Sequence, residues 1–341
     1  MRIKDIAREA GVSTATVSHV INKTKYVSDH TRERVEQAIK KFNYHPNAHA
    51  QSLALGRSKI IGLLVSDISN PWFPEVIKSV EAAVFAAGYN LFLLNTNYEA
   101  ERTLEYVHRL IQMKVAGIML MTAEFDKELL AEAKKRKTSF VFQDLGFVGE
   151  KVSNIVIDYA AGIDEAVQHL VSLGHTDIIH IAGSREIHSA GVRRQAFLDS
   201  MKRHLPNQSV PKIYEGDFRF DGGRLAASRV LADGAVPTAV VVANDLMALG
   251  AMQEFKAAGL HIPNDISIVG FDDISFASLS EPALTTVCSP RVEIGRRAFE
   301  ALVLTVDKPH QMGVEITVPT YLIKRGSTAP PRASKIRGKA L

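Results

Sequence analysis

A single cysteine, Cys288, occurs among the 341 residues. An internal disulfide is excluded, and so is any multi-cysteine zinc site, which fits a reducing compartment. Long hydrophobic runs are missing too. None approaches the ~18 residues that a membrane helix needs, and Met1-Arg2-Ile3-Lys4-Asp5 opens a mixed polar segment with no signal-peptide apolar stretch. A cytoplasmic protein is expected. The chain also lacks G-x-G-x-x-G, a Walker loop, a G-x-S-x-G elbow and H-E-x-x-H, so neither an enzyme nor a cofactor is indicated. Low-complexity blocks and short internal repeats are absent. His169, His175, His180 and His188 are spaced over a helix, a loop and a strand, and read as ordinary polar or partly buried histidines, with no metal site. Gly222-Gly223 reads as easing a turn.

What is present is an ordinary globular composition: 46% hydrophobic and 23% charged residues, enough length for about two domains. Net charge is only +4, but it is unevenly distributed. Residues 1–58 carry ten Lys and Arg against five Asp and Glu, residues 59–328 carry 27 against 32, and residues 329–341 carry four against none. A basic head, an acidic body and a basic tail prompt a search for nucleic-acid binding.

From Lys59 onward, short apolar runs alternate with helical patterns rich in Ala, Leu, Glu and Lys. Continuous apolar runs at 60–65, 91–94, 116–121, 139–142, 155–157, 178–182, 213–215, 239–243 and 267–271 have the form of buried parallel strands. The fold class is α/β, doubly wound, with ligands expected at the carboxyl ends of the strands. About nine strands exceed one comfortable sheet, so two lobes are expected: 59–158 plus 291–320, and 159–290. Asp158-Tyr159 and Ser289-Pro290 are the crossover points, with the helix at 291–306 returning to the first lobe.

Residues 1–45 read differently. Ile3, Ile6, Ala7 and Ala10, then Val17, Val20 and Ile21, keep helical spacing on either side of Gly11-Val12-Ser13, where Gly supplies a turn and Ser an N-cap. A third helix from Ser28 through Val35, Ala38, Ile39 and Phe42 closes an all-α core and ends at Tyr44-His45-Pro46. This is a helix-turn-helix, whose second helix presents small hydrogen-bonding side chains at its start, where such proteins touch base edges. Residues 47–55 are Ala-rich, but too few for an isolated helix to be stable in water.

Ile3-Lys4-Asp5-Ile6-Ala7-Arg8-Glu9-Ala10-Gly11-Val12-Ser13, followed by Thr16-Val17-Ser18-His19-Val20-Ile21-Asn22, closely resembles the head of the lactose/galactose repressor family, and within it the purine and ribose repressors. Similarity continues in order through Tyr44-His45-Pro46-Asn47-Ala48, Gln51-Ser52-Leu53, Ile61-Gly62, Ser69-Asn70-Pro71, Ala243-Asn244-Asp245-Leu246-Met247-Ala248-Leu249-Gly250, Val269-Gly270-Phe271-Asp272-Asp273 and Pro282-Ala283-Leu284-Thr285-Thr286.

The resemblance implies a transcriptional repressor that binds a palindromic operator as a dimer, with a hinge helix at 46–58 joining the head to a periplasmic-binding-protein-like effector core. It puts Thr14, Ala15 and His19 at base edges and Ser13, Thr16, Ser18 and Asn22 at phosphates. Leu53 matches a minor-groove wedge, flanked by Asn47 and by Ala54 where some relatives carry lysine. An apolar side chain inserted there kinks the duplex at a cost of a few kcal/mol. For the effector it implies Asn70, Trp72, Phe73, Asp144, Ser189, Arg193, Phe218, Asn244 and Asp272: aromatic faces for a ring and polar groups for its hydroxyls. Asp245 reads as the cap of the helix that follows it.

A sugar or sugar derivative is the leading effector class. Leu145, where a ribose binder favours Arg, and Ser289, where sugar binders often have Gln, argue against ribose itself. Ile187 stands where nucleobase-binding relatives carry Arg, which puts a purine second. A solute-binding protein without a DNA role is the rival from another class. The proline-containing basic tail at 329–341, with no leucine heptads, reads as a solvated terminus and points to a dimer; a protein corepressor is not indicated.

Overall fold

The computed structural model describes residues 2–22, 24–44, 58–122, 129, 131–133, 138–234 and 236–332. The hinge expected at 46–58, with Asn47, Leu53 and Ala54, lies outside the described residues except for Ser58, as do tail residues 333–341.

Three helices form the head: α1 (Ile3–Ala10), α2 (Thr14–Asn22) and α3 (Asp29–Lys41). Their apolar stripes meet in a core of Ile6, Ala7, Ala10, Val17, Val35 and Ala38. Gly11 ends α1 at φ 61°, a left-handed conformation that glycine adopts without strain. The Ser13 hydroxyl then accepts the Thr16 N–H at 3.1 Å and caps α2. The α1–α2 turn is tied to α3 by the Arg34 guanidinium, which donates to the carbonyls of Ala10 and Gly11. α3 ends earlier than His45-Pro46 would require. Asn43 takes φ 44° and donates to Lys40 O at 3.2 Å, while Tyr44 N–H bonds Ile39 O at 3.0 Å. This paired closure of the last carbonyls stops the helix before the proline can act.

The body contains two six-stranded sheets. The first has the order β11-β5-β4-β3-β1-β2, from β1 (Ile60–Val65), β2 (Asn90–Asn95), β3 (Gly117–Met121), β4 (Ser139–Gln143), β5 (Val152–Asp158) and β11 (Glu315–Pro319). The second has the order β12-β10-β9-β8-β6-β7, from β6 (Ile178–Ala182), β7 (Ile213–Glu215), β8 (Ala239–Val242), β9 (Ser267–Asp272), β10 (Thr285–Cys288) and β12 (Tyr321–Ile323). Every pairing is parallel except β12 against β10.

In the first lobe, α4 (Trp72–Ala86), α5 (Ala100–Gln112) and α11 (Arg291–Thr305) join the sheet; in the second, α6 (Tyr159–Ser172), α7 (His188–His204), α8 (Phe220–Ala232), α9 (Asp245–Ala257) and the short α10 (Ser275–Leu279). α11 packs on α4, β3, β4 and β5. The chain changes sheet after Asp158 and around Ser289-Pro290, and a third time at Thr320, which carries β12 and the following strap to the second lobe.

β10, β11 and β12 fall outside the apolar-run reading for a physical reason. Thr285 and Thr286 are fully buried in β10, made tolerable because their hydroxyls are engaged: Thr286 donates to Asp245 at 2.5 Å and Thr285 accepts the Arg325 N–H at 2.9 Å. Edge strands β11 and β12 are too exposed to be continuous apolar runs. Gly222 and Gly223 lie inside α8, not in a turn. A Cβ on Gly223 would stand 2.1 Å from Met247 O, and one on Gly250 2.1 Å from Phe220 O, so the two glycines let α8 and α9 pack backbone to backbone.

The strap after β12 is pinned to the second lobe. His169 Nε2 meets the Thr328 hydroxyl at 3.0 Å, and Ala329 O accepts from His175 Nε2 at 2.8 Å and from the Ser267 hydroxyl at 3.1 Å. Arg332 pairs with Asp265 at 2.6 Å. The first four residues of the segment read as a solvated tail are therefore part of the body. His180 is buried in β6, bonds Val241 O through Nδ1 at 2.8 Å, and is driven down to about 4 by burial, which keeps it neutral at physiological pH.

Candidate DNA-reading face and effector cleft

On the head, Ser13, Thr14 and Ala15 are exposed at the start of α2, while Thr16, Ser18, His19 and Asn22 are half-buried. Several of their polar atoms are already engaged. Thr16 shares a bond with Ser13 at 2.9 Å, Asn22 Nδ2 donates to the Ser18 hydroxyl at 3.1 Å, and His19 Nδ1 meets the Thr24 hydroxyl at 2.8 Å. Thr14 and Ala15 are the side chains left most open, and His19 keeps Nε2 for a partner. Tyr26, in the loop between α2 and α3, is 87% exposed; sequence reading passed it over because it lies outside the helical pattern.

Between the lobes, the carboxyl ends of the strands face each other across a partly open cleft, where ligands of α/β sheets gather. Eight of the nine expected residues line it: Asn70, Trp72, Phe73, Ser189, Arg193, Phe218, Asn244 and Asp272. Tyr98, Met121, Thr122, Gln143 and Tyr159 line it as well and were not anticipated. Three of these, Met121, Thr122 and Gln143, sit at or just beyond the ends of β3 and β4, where the end-of-strand rule would have found them.

Asp144 is the exception. It stands behind the wall, where its carboxylate accepts from Ile157 N–H at 2.9 Å, Tyr159 Oη at 2.7 Å and Gln143 Nε2 at 3.3 Å. Burial raises its pKa above the ordinary carboxylate range, against those bonds and the Arg193 charge. Asn244 lines the cleft but is engaged with the protein, since Oδ1 accepts Met247 N–H and Nδ2 donates to Phe218 O, each at 2.9 Å. It, and not Asp245, caps α9. Asp245 is buried instead, receiving the Thr286 hydroxyl and Ile274 N–H (2.8 Å), and burial followed by the Asp272 charge holds its carboxyl well above the usual range.

Arg193 occupies the centre. Its guanidinium carbon lies 4.2 Å from the Phe271 ring centre, 4.8 Å from Tyr159 and 5.5 Å from Phe218, a buried cation–π cage. It donates to Ala243 O and lies 3.5 Å from Asp272 Oδ1. Burial pushes Asp272 up to about 6, and the charges of Arg193 and Arg291 only partly oppose that. Among the described residues the cleft thus carries one cation facing one anion, and suits a neutral ligand with both apolar faces and polar edges.

Contacts also cross between lobes. Trp72 Nε1 donates to the Ser289 hydroxyl at 3.4 Å beside the crossover, and Arg291 Nε bonds Glu75 at 2.7 Å while its Nη1 donates to Asp272 O. At the mouth, Arg219 of the second lobe reaches Asp67 and Asn97 of the first. A ligand that changes lobe closure therefore works against a defined set of polar contacts.

A helix-turn-helix head carried on a two-lobed α/β body with a cleft between the strand ends of its lobes defines a ligand-responsive DNA-binding regulator. Residues 2–47 match the model for bacterial regulatory proteins of the lacI family, and residues 167–328 match that for a periplasmic binding protein-like domain. The HTH-type transcriptional repressor PurR of Pectobacterium carotovorum is 37% identical over 329 residues, covering 96% of each chain. Among solved structures, the lac repressor dimer bound to operator and the anti-inducer ONPF superposes with a TM-score of 0.84 at 31% identity, covering 96% of this chain and 99% of that one. A complex of the transcriptional regulator CelR with cellobiose gives a TM-score of 0.70 at 29% identity, covering 96% and 99%. The chain belongs to the lacI family of transcriptional regulators.

Proposed function

We propose that this lacI-family repressor binds its operator as a dimer in the cytoplasm, has no enzymatic role, and is controlled by a neutral sugar or sugar derivative held in the cleft. The observation that carries the effector class is the charge-balanced Arg193–Asp272 pair set among aromatic rings. Rings offer apolar faces to a sugar, and the paired polar groups offer both donors and acceptors to its hydroxyls. The cellobiose bound by CelR supports the same class. In this reading Arg193, Asp272, Asn70 and Ser189 meet the ligand directly with Trp72, Phe73 and Phe218, while Asn244 and Asp144 hold the walls. Thr14, Ala15 and His19 read bases, and Ser13, Thr16, Ser18 and Asn22 serve the phosphates.

A purine effector is the second reading, favoured by the similarity to PurR. Against it, Ile187, where the resemblance implies Arg in nucleobase binders, is an apolar residue packed into the core. Thermal-shift screening of pentoses, hexoses, sugar phosphates and purines tests both. A ligand at 100 times its Kd stabilises the folded state by ~2.7 kcal/mol; the account expects that shift from a neutral sugar, and a shift from purines alone would replace it with the second reading.

A further inference from the structure

We propose that Gln143 and Thr122, on the first-lobe wall of the cleft, determine which effector is accepted: they select a ligand that presents hydroxyl groups to that wall. The inference deepens the reading of the cleft as a sugar site and rests on it.

The two residues emerge side by side. β3 and β4 run parallel with Leu120 opposite Phe142, so the next positions, Met121 and Gln143, are neighbours and Thr122 follows at the same edge. Both Gln143 and Thr122 line the cleft. Thr122 is 2% exposed, and its hydroxyl and the Gln143 Oε1 are buried with no hydrogen-bond partner among the described residues. Buried polar atoms are left unpaired only at a cost, and a site for a polar ligand is where that cost is recovered.

Asp144 fixes the sense of the Gln143 amide. The donor end, Nε2, gives one of its two hydrogens to the Asp144 carboxylate at 3.3 Å and so turns toward it, and that carboxylate is itself anchored by Ile157 N–H and Tyr159 Oη. The amide oxygen is left for the cleft, where it can only accept. Arg193, also lining the cleft, has a buried Nε without a partner, which can only donate. Thr122 can do either. The buried unpaired atoms of these three residues are thus one acceptor, one donor and one hydroxyl. Sugar hydroxyls donate and accept at once and satisfy all three; an acceptor-only edge leaves Gln143 unpaired. Asp144 is a positioning residue for this selection.

Calorimetric titration of the full chain with D-ribose, D-glucose, D-galactose and D-fructose, followed by the monodeoxy series of whichever sugar binds, tests the proposal. The near-isosteric variants Gln143→Leu and Thr122→Val are expected to lose roughly tenfold or more in affinity for that sugar, because a site built around a hydroxyl discriminates strongly once the pairing is lost. One monodeoxy analogue should bind the wild type as weakly as the parent sugar binds Gln143→Leu, and the variant should not distinguish the two. Equal affinity of the sugar for the wild type and both variants overturns the selection while leaving the sugar reading standing. Should the variants fail to fold, the wild type alone decides: a monodeoxy series with no weakened member overturns the proposal. If none of the sugars binds the wild type, the sugar reading falls and the selection with it.

Discussion

Arg219 on the second lobe faces Asp67 on the first across the mouth of the cleft, Nε to Oδ2 at 3.4 Å. The same guanidinium donates to Asn97 Oδ1 at 3.2 Å and lies 5.6 Å from the Tyr98 ring centre. Its partners all belong to the opposite lobe, so the group acts as a latch on closure. Arg219 is about half exposed and Asp67 is not, and an ion pair of that kind is worth about 0.2–1 kcal/mol. Arg219→Ala is expected to weaken effector binding by up to about fivefold and to raise the radius of gyration of the unliganded protein in X-ray scattering. An unchanged affinity and radius would remove the latch from the account.

Asp272 is expected to make effector binding pH-dependent. Its folded pKa is raised to about 6 from 3.8 by burial, so falling pH protonates the carboxyl and removes its acceptor and its pairing with Arg193. Effector affinity should be full above pH 7 and decline by up to about tenfold per unit below 6. The same raised pKa has the opposite sign for the empty protein: the stability it contributes is complete below 4 and is lost as pH rises through 6. Calorimetric titration from pH 5 to 8 checks this, and Asp272→Asn should flatten the profile. A wild-type profile that is already flat contradicts the assignment.

The strap at residues 329–332 is expected to matter where the residues after it do not. Deleting 329–341 strips Ala329 O from His175 and Ser267 and Arg332 from Asp265, a loss of about 1–3 kcal/mol, seen as a melting temperature lowered by a few degrees. Deleting only 333–341 should leave the melt unchanged. Equal melts for the two truncations would show the strap to be idle.

Thr14→Ala should cost operator affinity at one base pair, about 1–3 kcal/mol for a direct base contact. Because threonine is uncharged, the salt slope should hold whether it meets a base or a phosphate, so the sequence preference is the readout. Fluorescence anisotropy on operators varied one base pair at a time separates the two, and an unchanged sequence preference would move Thr14 to the backbone.

The head was legible in the sequence because its signals are local: Gly11, the Ser13 cap and one apolar stripe per helix are read within a few residues. The cleft was legible through similarity and through the rule that ligands gather at strand ends, which together brought Arg193, Asp272 and Phe218 to one place. Less legible were features that depend on residues far apart in the chain. Asp144 reads from sequence as a residue at the end of β4, and only the fold shows that Ile157, Tyr159 and Gln143 bond its oxygens. Asn244 and Asp245 are adjacent, and only the fold decides that the first caps α9 while the second is buried under β10. Thr285 and Thr286 hide a strand because a buried threonine is permitted only by partners elsewhere in the chain.

The central claim is that occupancy of the cleft changes the grip of the head on DNA. Coupling between the two sites must be reciprocal, and typically amounts to about 5- to 150-fold. The most direct measurement is operator affinity, by anisotropy on a duplex selected by this protein from a random pool, with and without the sugar that raises its melting temperature. The account predicts a change in operator Kd of at least about fivefold, absent in Arg193→Ala at the same sugar concentration. A sugar that binds the cleft and leaves operator Kd unchanged would contradict it.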